Sequence, residues 1–199
     1  QPEVAALLQD ARQAAVRTLG ELAIQHGASA VLLAGDIYDK QQLSPQTLAK
    51  PIEGMRQFPR ITWHLMPGNH DHVRENGLWD RLLRTNLPEN VKLHTSPGAV
   101  KIQDDDGTPV FLLPAPLSYI SSADDLTSYM DKEATPDGAI RIGMAHGSIQ
   151  GFGSDGEASN YINPTRAETA GLAYLALGDW HRQIKINDRV WYCGTPEPD

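Results

Sequence analysis

The chain has 199 residues, 40% hydrophobic and 21% charged, the proportions of an ordinary globular domain long enough to bury a sizeable core. Its one cysteine, Cys193, excludes an internal disulfide framework and suits a reducing cytoplasm; no apolar run approaches the roughly 20 residues of a membrane span. The net charge of −8, with basic residues in scattered pairs (Arg56/Arg60, Arg81/Arg84, Lys185/Arg189), argues against tight autonomous binding to nucleic acid but not against hydrolysis of phosphate esters.

Apolar residues from Val4 through Leu8, Ala11, Ala15, Leu19 and Leu22 to Ile24 recur near the helical period, and His26-Gly27 supplies a stop. Ser29 to Ala34 is a short apolar run ending at Gly35 and reads as a buried strand. Ser44 caps a second helix with Pro45 in its first turn, running to about Phe58 through Pro51 and Gly54. Ile61 to Met66 is a second buried strand, again ending in a Pro-Gly turn. Val91 to Leu93, Ala99 to Gln103 and Val110 to Leu113 read as short strands, the last two joined at Asp106-Gly107. Ile140 to Ala145 is a strand ending at His146-Gly147. Gly151 to Asn163 has little periodicity and reads as a loop over the site. Leu172 to Leu177 precedes Gly178-Asp179, and Ile184 to Ile186 and Val190 to Tyr192 flank a two-residue turn at Asn187-Asp188. This order predicts one mixed α/β sandwich domain over 1–199.

Four of these strands end in tight turns that present Asp, Asn or His. Ligand sites in α/β sheets lie beyond the carboxyl ends of strands, so the turns are expected to converge. Asp36 offers two oxygens with which to bridge metals, Asn69 and Asp179 offer oxygen, and His146 and His181 offer imidazole nitrogen. Such a donor set suits Mn(II), Fe and Zn. His70 is placed to protonate a leaving alkoxide, with Asp71 to orient it. His72 and Arg74 follow directly and are candidates for contact with substrate phosphate. Trp180 stacks on a base or simply packs; His64 and His94 read as packing or surface positions.

The ordered set Leu33-Ala34-Gly35-Asp36-Ile37-Tyr38-Asp39, Met66-Pro67-Gly68-Asn69-His70-Asp71, Ala145-His146-Gly147 and Leu177-Gly178-Asp179-Trp180-His181 resembles the calcineurin-like metallophosphoesterase superfamily. With Cys193-Gly194-Thr195-Pro196-Glu197 it is most similar to bacterial SbcD-type DNA-repair exonucleases. The resemblance implies a four-layer αββα sandwich with mixed sheets. It also implies two divalent ions, Mn(II) with Fe or Zn as alternatives, that activate a hydroxide for in-line attack on phosphorus. By the same resemblance Asp36 bridges the ions, Asn69, His146 and Asp179 bind one, His181 binds the other, and His70 held by Asp71 is the acid. Nucleic acid is the expected substrate and an SbcC-type ATPase the expected partner.

Two departures stand out. The family's Asp-x-His motif is expected before the first helix, yet nothing before Val4 supplies it, so a preceding strand is expected upstream of Gln1 and a continuation beyond Asp199. Residue 179 is Asp where the family has His, which shifts metal preference toward harder ions. The alternatives are a small-molecule phosphodiesterase or phosphatase, and a degenerate non-catalytic domain that binds a partner.

Overall fold

The computed structural model describes residues 2–151 and 160–196, with the backbone alone over 2–13. The first helix, α1 (Pro2–Gln25), leads through Gly27 into β1 (Ala30–Ala34). Helix α2 (Pro45–Arg56) starts where its cap predicts: Ser44 Oγ accepts the Thr47 N–H at 3.1 Å, and Pro45 occupies the first turn, where a missing N–H costs nothing. Gly54 lets α2 lie close to α1, since a Cβ there would stand 3.1 Å from Val16 Cγ1. The chain continues through β2 (Thr62–Met66), the short helix α3 (Leu78–Leu83), β3 (Val91–Leu93), β4 (Val100–Asp105) and β5 (Thr108–Ala115). The β4–β5 turn has Asp106 and Gly107 both at positive φ, the hairpin geometry that residue pair favours. A 3₁₀ turn (Ser128–Asp131) precedes β6 (Ile140–His146), β7 (Ser148–Ile149), β8 (Tyr161–Ile162), α4 (Arg166–Thr169), β9 (Tyr174–Gly178), β10 (Ile184–Lys185) and β11 (Val190–Tyr192).

Two main sheets form. One is wholly parallel, in the order β1-β2-β3; the other is mixed, in the order β10-β11-β9-β6-β5-β4, with β11, β9, β6 and β5 parallel. Successive side chains of β2 point to opposite faces. Trp63 and Leu65 therefore join Leu48, Ile52 and Met55 of α2 and Trp79 and Leu82 of α3 in one core. Met66 meets Leu112 and Met144 of the second sheet in the layer between the sheets. On the far side of the six-stranded sheet, Leu113, Leu175 and Leu177 pack under Met130, Ala167 and Ala170. The expected αββα order is thus present, with the second helical layer reduced to a 3₁₀ turn and the single turn of α4. Each fully buried Leu or Trp in these layers contributes roughly 1.5–3 kcal/mol, which is what fixes the two sheets face to face.

The structure changes several sequence expectations. Strand β1 is only half-buried, pairing among the described residues with β2 alone. Helix α3 had no cap signal, and none forms: Gly77 stands at its N-cap, and burial of Leu78, Trp79 and Leu82 holds it. Asn187-Asp188 is not a two-residue turn. Ile186 N–H and Asn187 N–H both reach Val190 O, and Asn187 Oδ1 accepts the Arg189 N–H, so the loop takes in Arg189. Of the segment 151–163 expected as loop, residues 152–159 lie outside the described residues, while Tyr161 and Ile162 pair with Ser148 and Ile149. Glu197 also lies outside them.

Candidate metal centre

The carboxyl ends of β1, β2, β6 and β9 meet at one edge of the sandwich. Their approach is close enough to need glycine. A Cβ on Gly178 would overlap Ala34 O at the end of β1, and a Cβ on Gly68 would overlap the Asp36 carboxylate. Among the described residues only five non-glycines have positive φ, and two of these are the carboxylates that the turns present, Asp36 (55°) and Asp179 (104°). Backbone held in this sparsely populated region concentrates at functional sites.

His146 is the centre of the arrangement. Its side chain is 2% exposed, and Nδ1 donates to Ala34 O at 2.7 Å. A carbonyl can only accept, so Nδ1 carries the proton and Nε2 is left to face the site. Around Nε2 stand Asn69 Oδ1 at 3.1 Å, Asp36 Oδ2 at 3.4 Å and Asp179 Oδ1 at 3.7 Å. Four acceptor atoms directed at one another repel unless a positive charge lies among them. Burial pulls the His146 pKa down, but the Asp36 carboxylate outweighs it and the net shift is upward. Burial likewise pushes Asp36 up, and His146 together with the His70 N–H brings it below its ordinary value.

The cluster that draws a proton onto Nε2 equally draws a metal cation into its place. Donors bound at roughly 2.0–2.2 Å to a common cation stand about 3.0–3.6 Å from one another, close to the observed spacings. Among the described residues His146, Asp36 and Asp179 do not by themselves close tightly enough to make a metal site; the Asn69 amide oxygen, nearest to Nε2 at 3.1 Å, completes the set. The residues fit a hard or borderline divalent ion held by three oxygens and one imidazole.

Asp71, expected to orient His70, directs its carboxylate to backbone amides. It is fully buried, and its carboxylate accepts N–H groups from Gly68 (2.6 Å), Asp36 (3.3 Å) and Tyr38 (3.2 Å), which ties the first two turns together. Burial raises its pKa to about 6 despite these bonds. Trp79 Nε1 donates to Asp71 O and fixes the same residue from the other side. His70 is exposed, and its backbone N–H donates to Asp36 Oδ1 at 2.9 Å, so its imidazole stands at the open rim beside the carboxylate. His72 Nδ1 donates to Asn69 O at 2.9 Å; Arg74 is exposed two residues on. His181 is exposed in the turn after β9, where its carbonyl accepts Thr195 N–H at 3.0 Å. It follows Asp179 but is not one of the groups around His146 Nε2. Trp180 packs against the outer core and lies 6.3 Å from the Tyr192 ring, a packing role rather than an open stacking face.

Two positioning residues escaped the sequence reading. Tyr192 is fully buried; its hydroxyl donates to Gly147 O at 2.8 Å and accepts Ile149 N–H at 3.0 Å, pinning the turn that carries His146. Ser148 Oγ donates to Asp179 Oδ2 at 3.3 Å. Nothing in the alternation of a terminal strand signals where a tyrosine hydroxyl ends.

Comparison with known proteins bears on this geometry. A model described as calcineurin-like phosphoesterase matches residues 8–183. The uncharacterised metallophosphoesterase YhaO of Bacillus subtilis is 26% identical over 184 residues, which is 89% of this chain and 43% of that protein. The chain therefore spans less than half the length of this curated relative. The crystal structure of TT1561 of Thermus thermophilus superposes with a TM-score of 0.61 over 92% of this chain and 84% of that one, at 15% identity, a likeness of fold.

Proposed function

We propose that this chain, which belongs to the calcineurin-like phosphoesterase family, is a metal-dependent phosphodiesterase acting on nucleic acid, in particular a DNA exonuclease. The observation that carries the hydrolytic reading is the set of three oxygens aimed at His146 Nε2, whose tautomer is fixed by Ala34 O. Asp36, Asn69, His146 and Asp179 would hold one divalent ion, and Asp36 with His181 a second. Bound metal supplies the positive charge that polarises a phosphoester and makes water nucleophilic at neutral pH.

The remaining steps belong to the chain. Asn69 and His146 are held at fixed separation by strands from opposite sheets, so the substrate phosphorus meets preorganised groups. The exposed His70 imidazole gives a proton to the leaving oxygen, and Asp36 Oδ1 restrains its backbone. His72 and Arg74, next in sequence, face the negative oxygens of the chain being cut. Within this reading an SbcC-type ATPase is the partner.

A second reading, a small phosphodiester as substrate, is favoured by the net charge of −8, which opposes long-range attraction of a polyanion. One experiment separates them. Purified protein with Mn(II) is given end-labelled DNA, bis-(p-nitrophenyl) phosphate and p-nitrophenyl phosphate. Shortening of DNA, abolished by His146→Ala, supports the nuclease. Cleavage of the small diester with DNA left intact moves the assignment to the second reading, and inertness on all three rejects both.

A further inference from the structure

Large apolar side chains exposed singly need no explanation, but three carried on two segments that are hydrogen-bonded to each other beside a reaction centre do. Tyr119 is 70% exposed, Ile120 66% and Tyr161 38%. The loop that carries the first two leaves the end of β5 and is rooted in the metal centre's own turn: Leu117 N–H donates to Pro67 O at 3.4 Å, and Val73 N–H donates to Leu117 O at 2.8 Å. Its tip is held by Asn160. The Asn160 side chain donates to Ile120 O at 3.1 Å and accepts the Ser122 N–H at 2.8 Å, clasping both flanks of the tip. Asn160 O in turn accepts Ser148 N–H at 3.2 Å, beside the His146-Gly147 turn. Asn160 adopts φ 58°, a conformation asparagine tolerates better than most residues, and Tyr161 follows it directly.

Between loop and strand lies a crevice whose lining includes Leu117, Asp124, Asn160, Tyr161, Ile162 and His146. It leaves about 10 Å³ of free volume, about what one water requires. A ring cannot enter it; a ring can lie across its mouth. We propose that Tyr119 and Ile120, with Tyr161 beside them, form a stacking lip for a nucleobase of the substrate whose phosphodiester sits at the His146 cluster. This inference rests on the phosphodiesterase reading above and names the part of the substrate that the cluster does not bind.

Three features favour a base over a protein partner. Tyr161 lines the same crevice as His146, the centre of the metal cluster. It is preorganised by Asn160, as a stacking surface must be if it is not to lose its gain in ordering entropy. It is also small: three partly covered side chains present about 400 Å² at most, against about 800 Å² per partner in a stable interface. Stacking is tolerant of base identity because every base has a flat face. The lip therefore gives affinity for nucleotides over other phosphodiesters without requiring a sequence preference.

The test compares two probes bound by the full chain in Mn(II): a labelled four-nucleotide thymidine strand and an abasic strand of equal length and charge, both with cleavage-resistant phosphorothioate linkages. The wild type is expected to bind the thymidine strand about ten-fold more tightly. Tyr119→Ala combined with Ile120→Ala should erase that preference and leave affinity for the abasic strand unchanged, while Tyr119→Phe should keep it. Equal affinities in the wild type overturn the proposal. So does a double variant that weakens both probes alike, or one that alters only the sedimentation coefficient, the mark of a protein interface. Hydrolysis of bis-(p-nitrophenyl) phosphate is measured in parallel: a base preference without hydrolysis retains the lip and rejects the phosphodiesterase reading, and hydrolysis without a base preference does the reverse.

Discussion

Acidification should destabilise this fold through a pair of histidines that has no part in the metal centre. His64 lies on β2, on the face turned toward the second sheet, and His94 follows β3; they are 2% and 7% exposed. His64 Nδ1 lies 2.9 Å from His94 Nε2, the rings are stacked at 5.1 Å, and His64 Nε2 is buried with no hydrogen-bond partner. A buried bare nitrogen is cheaper than a buried N–H without an acceptor, so His64 donates from Nδ1 and both rings are neutral. A proton on His64 Nε2 would bring a charge and an orphan donor into an apolar layer. Burial, aided for His64 by His94 and Lys92, brings both pKa values from 6.5 to about 4.

The sign follows. The unfolded chain binds protons to these histidines from about pH 6.5 downward and the folded chain only near pH 4, so stability is complete above pH 6.5 and is lost as pH falls through that window. Between pH 7.5 and 5 the loss is about 2 kcal/mol for one ring, or a shift of roughly 1 M in the urea midpoint. Urea unfolding at pH 7.5, 6.5, 5.5 and 5 is compared for the wild type and the His64→Leu, His94→Leu double variant. The wild type should fall more steeply by about 2–4 kcal/mol over the range. Parallel pH dependences in the two proteins would refute the reasoning, because the remaining titrating groups are common to both.

Tyr192→Phe removes one oxygen and leaves Gly147 O and Ile149 N–H without that partner; a loss of about 2 kcal/mol is expected in urea unfolding, with weaker Mn(II) binding because the His146 turn is released. An unchanged midpoint with unchanged metal affinity would show that Tyr192 does not position the turn. Arg166, buried at 4% exposure, donates to Asp125, Asp131 and Thr127 and ties the 3₁₀ turn to α4. Arg166→Met should cost about 2–4 kcal/mol, the half-exposed Asp131 holding the figure below that for a fully buried pair, and thermal unfolding within a degree of the wild type would contradict it. Gly178→Ala forces a Cβ against Ala34 O, so soluble protein with native metal affinity would show that the sheets' close approach is not required.

How much of this was legible beforehand depended on whether the signal was local. Ser44-Pro45, Asp106-Gly107 and the four strand-ending turns announce themselves because cap, φ and periodicity are set by neighbours in sequence. The convergence of Asp36, Asn69, His146 and Asp179 was expected from their common position after parallel strands, and distances of 3.1–3.7 Å to His146 Nε2 agree. Adjacency to His70 suggests a pair for Asp71, and the tertiary fold adds what adjacency does not show: its carboxylate turns inward to three backbone amides. Helix α3, Tyr192 and Asn160 act through contacts with partners far along the chain, which no local pattern records. The loop reading over Gly151 to Asn163 missed Asn160 because its role depends on a left-handed backbone and a clasp 40 residues away.

A cation among the acceptors around His146 is what the proposed chemistry of this site requires. Calorimetric titration of the apo chain with Mn(II) tests this most directly, alongside His146→Ala and Asn69→Ala, in two buffers of different ionisation enthalpy. Saturable binding in the wild type, accompanied by proton release near pH 6 and lost in both variants, is the predicted result. Binding that is absent, or present unchanged in the His146→Ala variant, would contradict the assignment of this cluster as a metal centre.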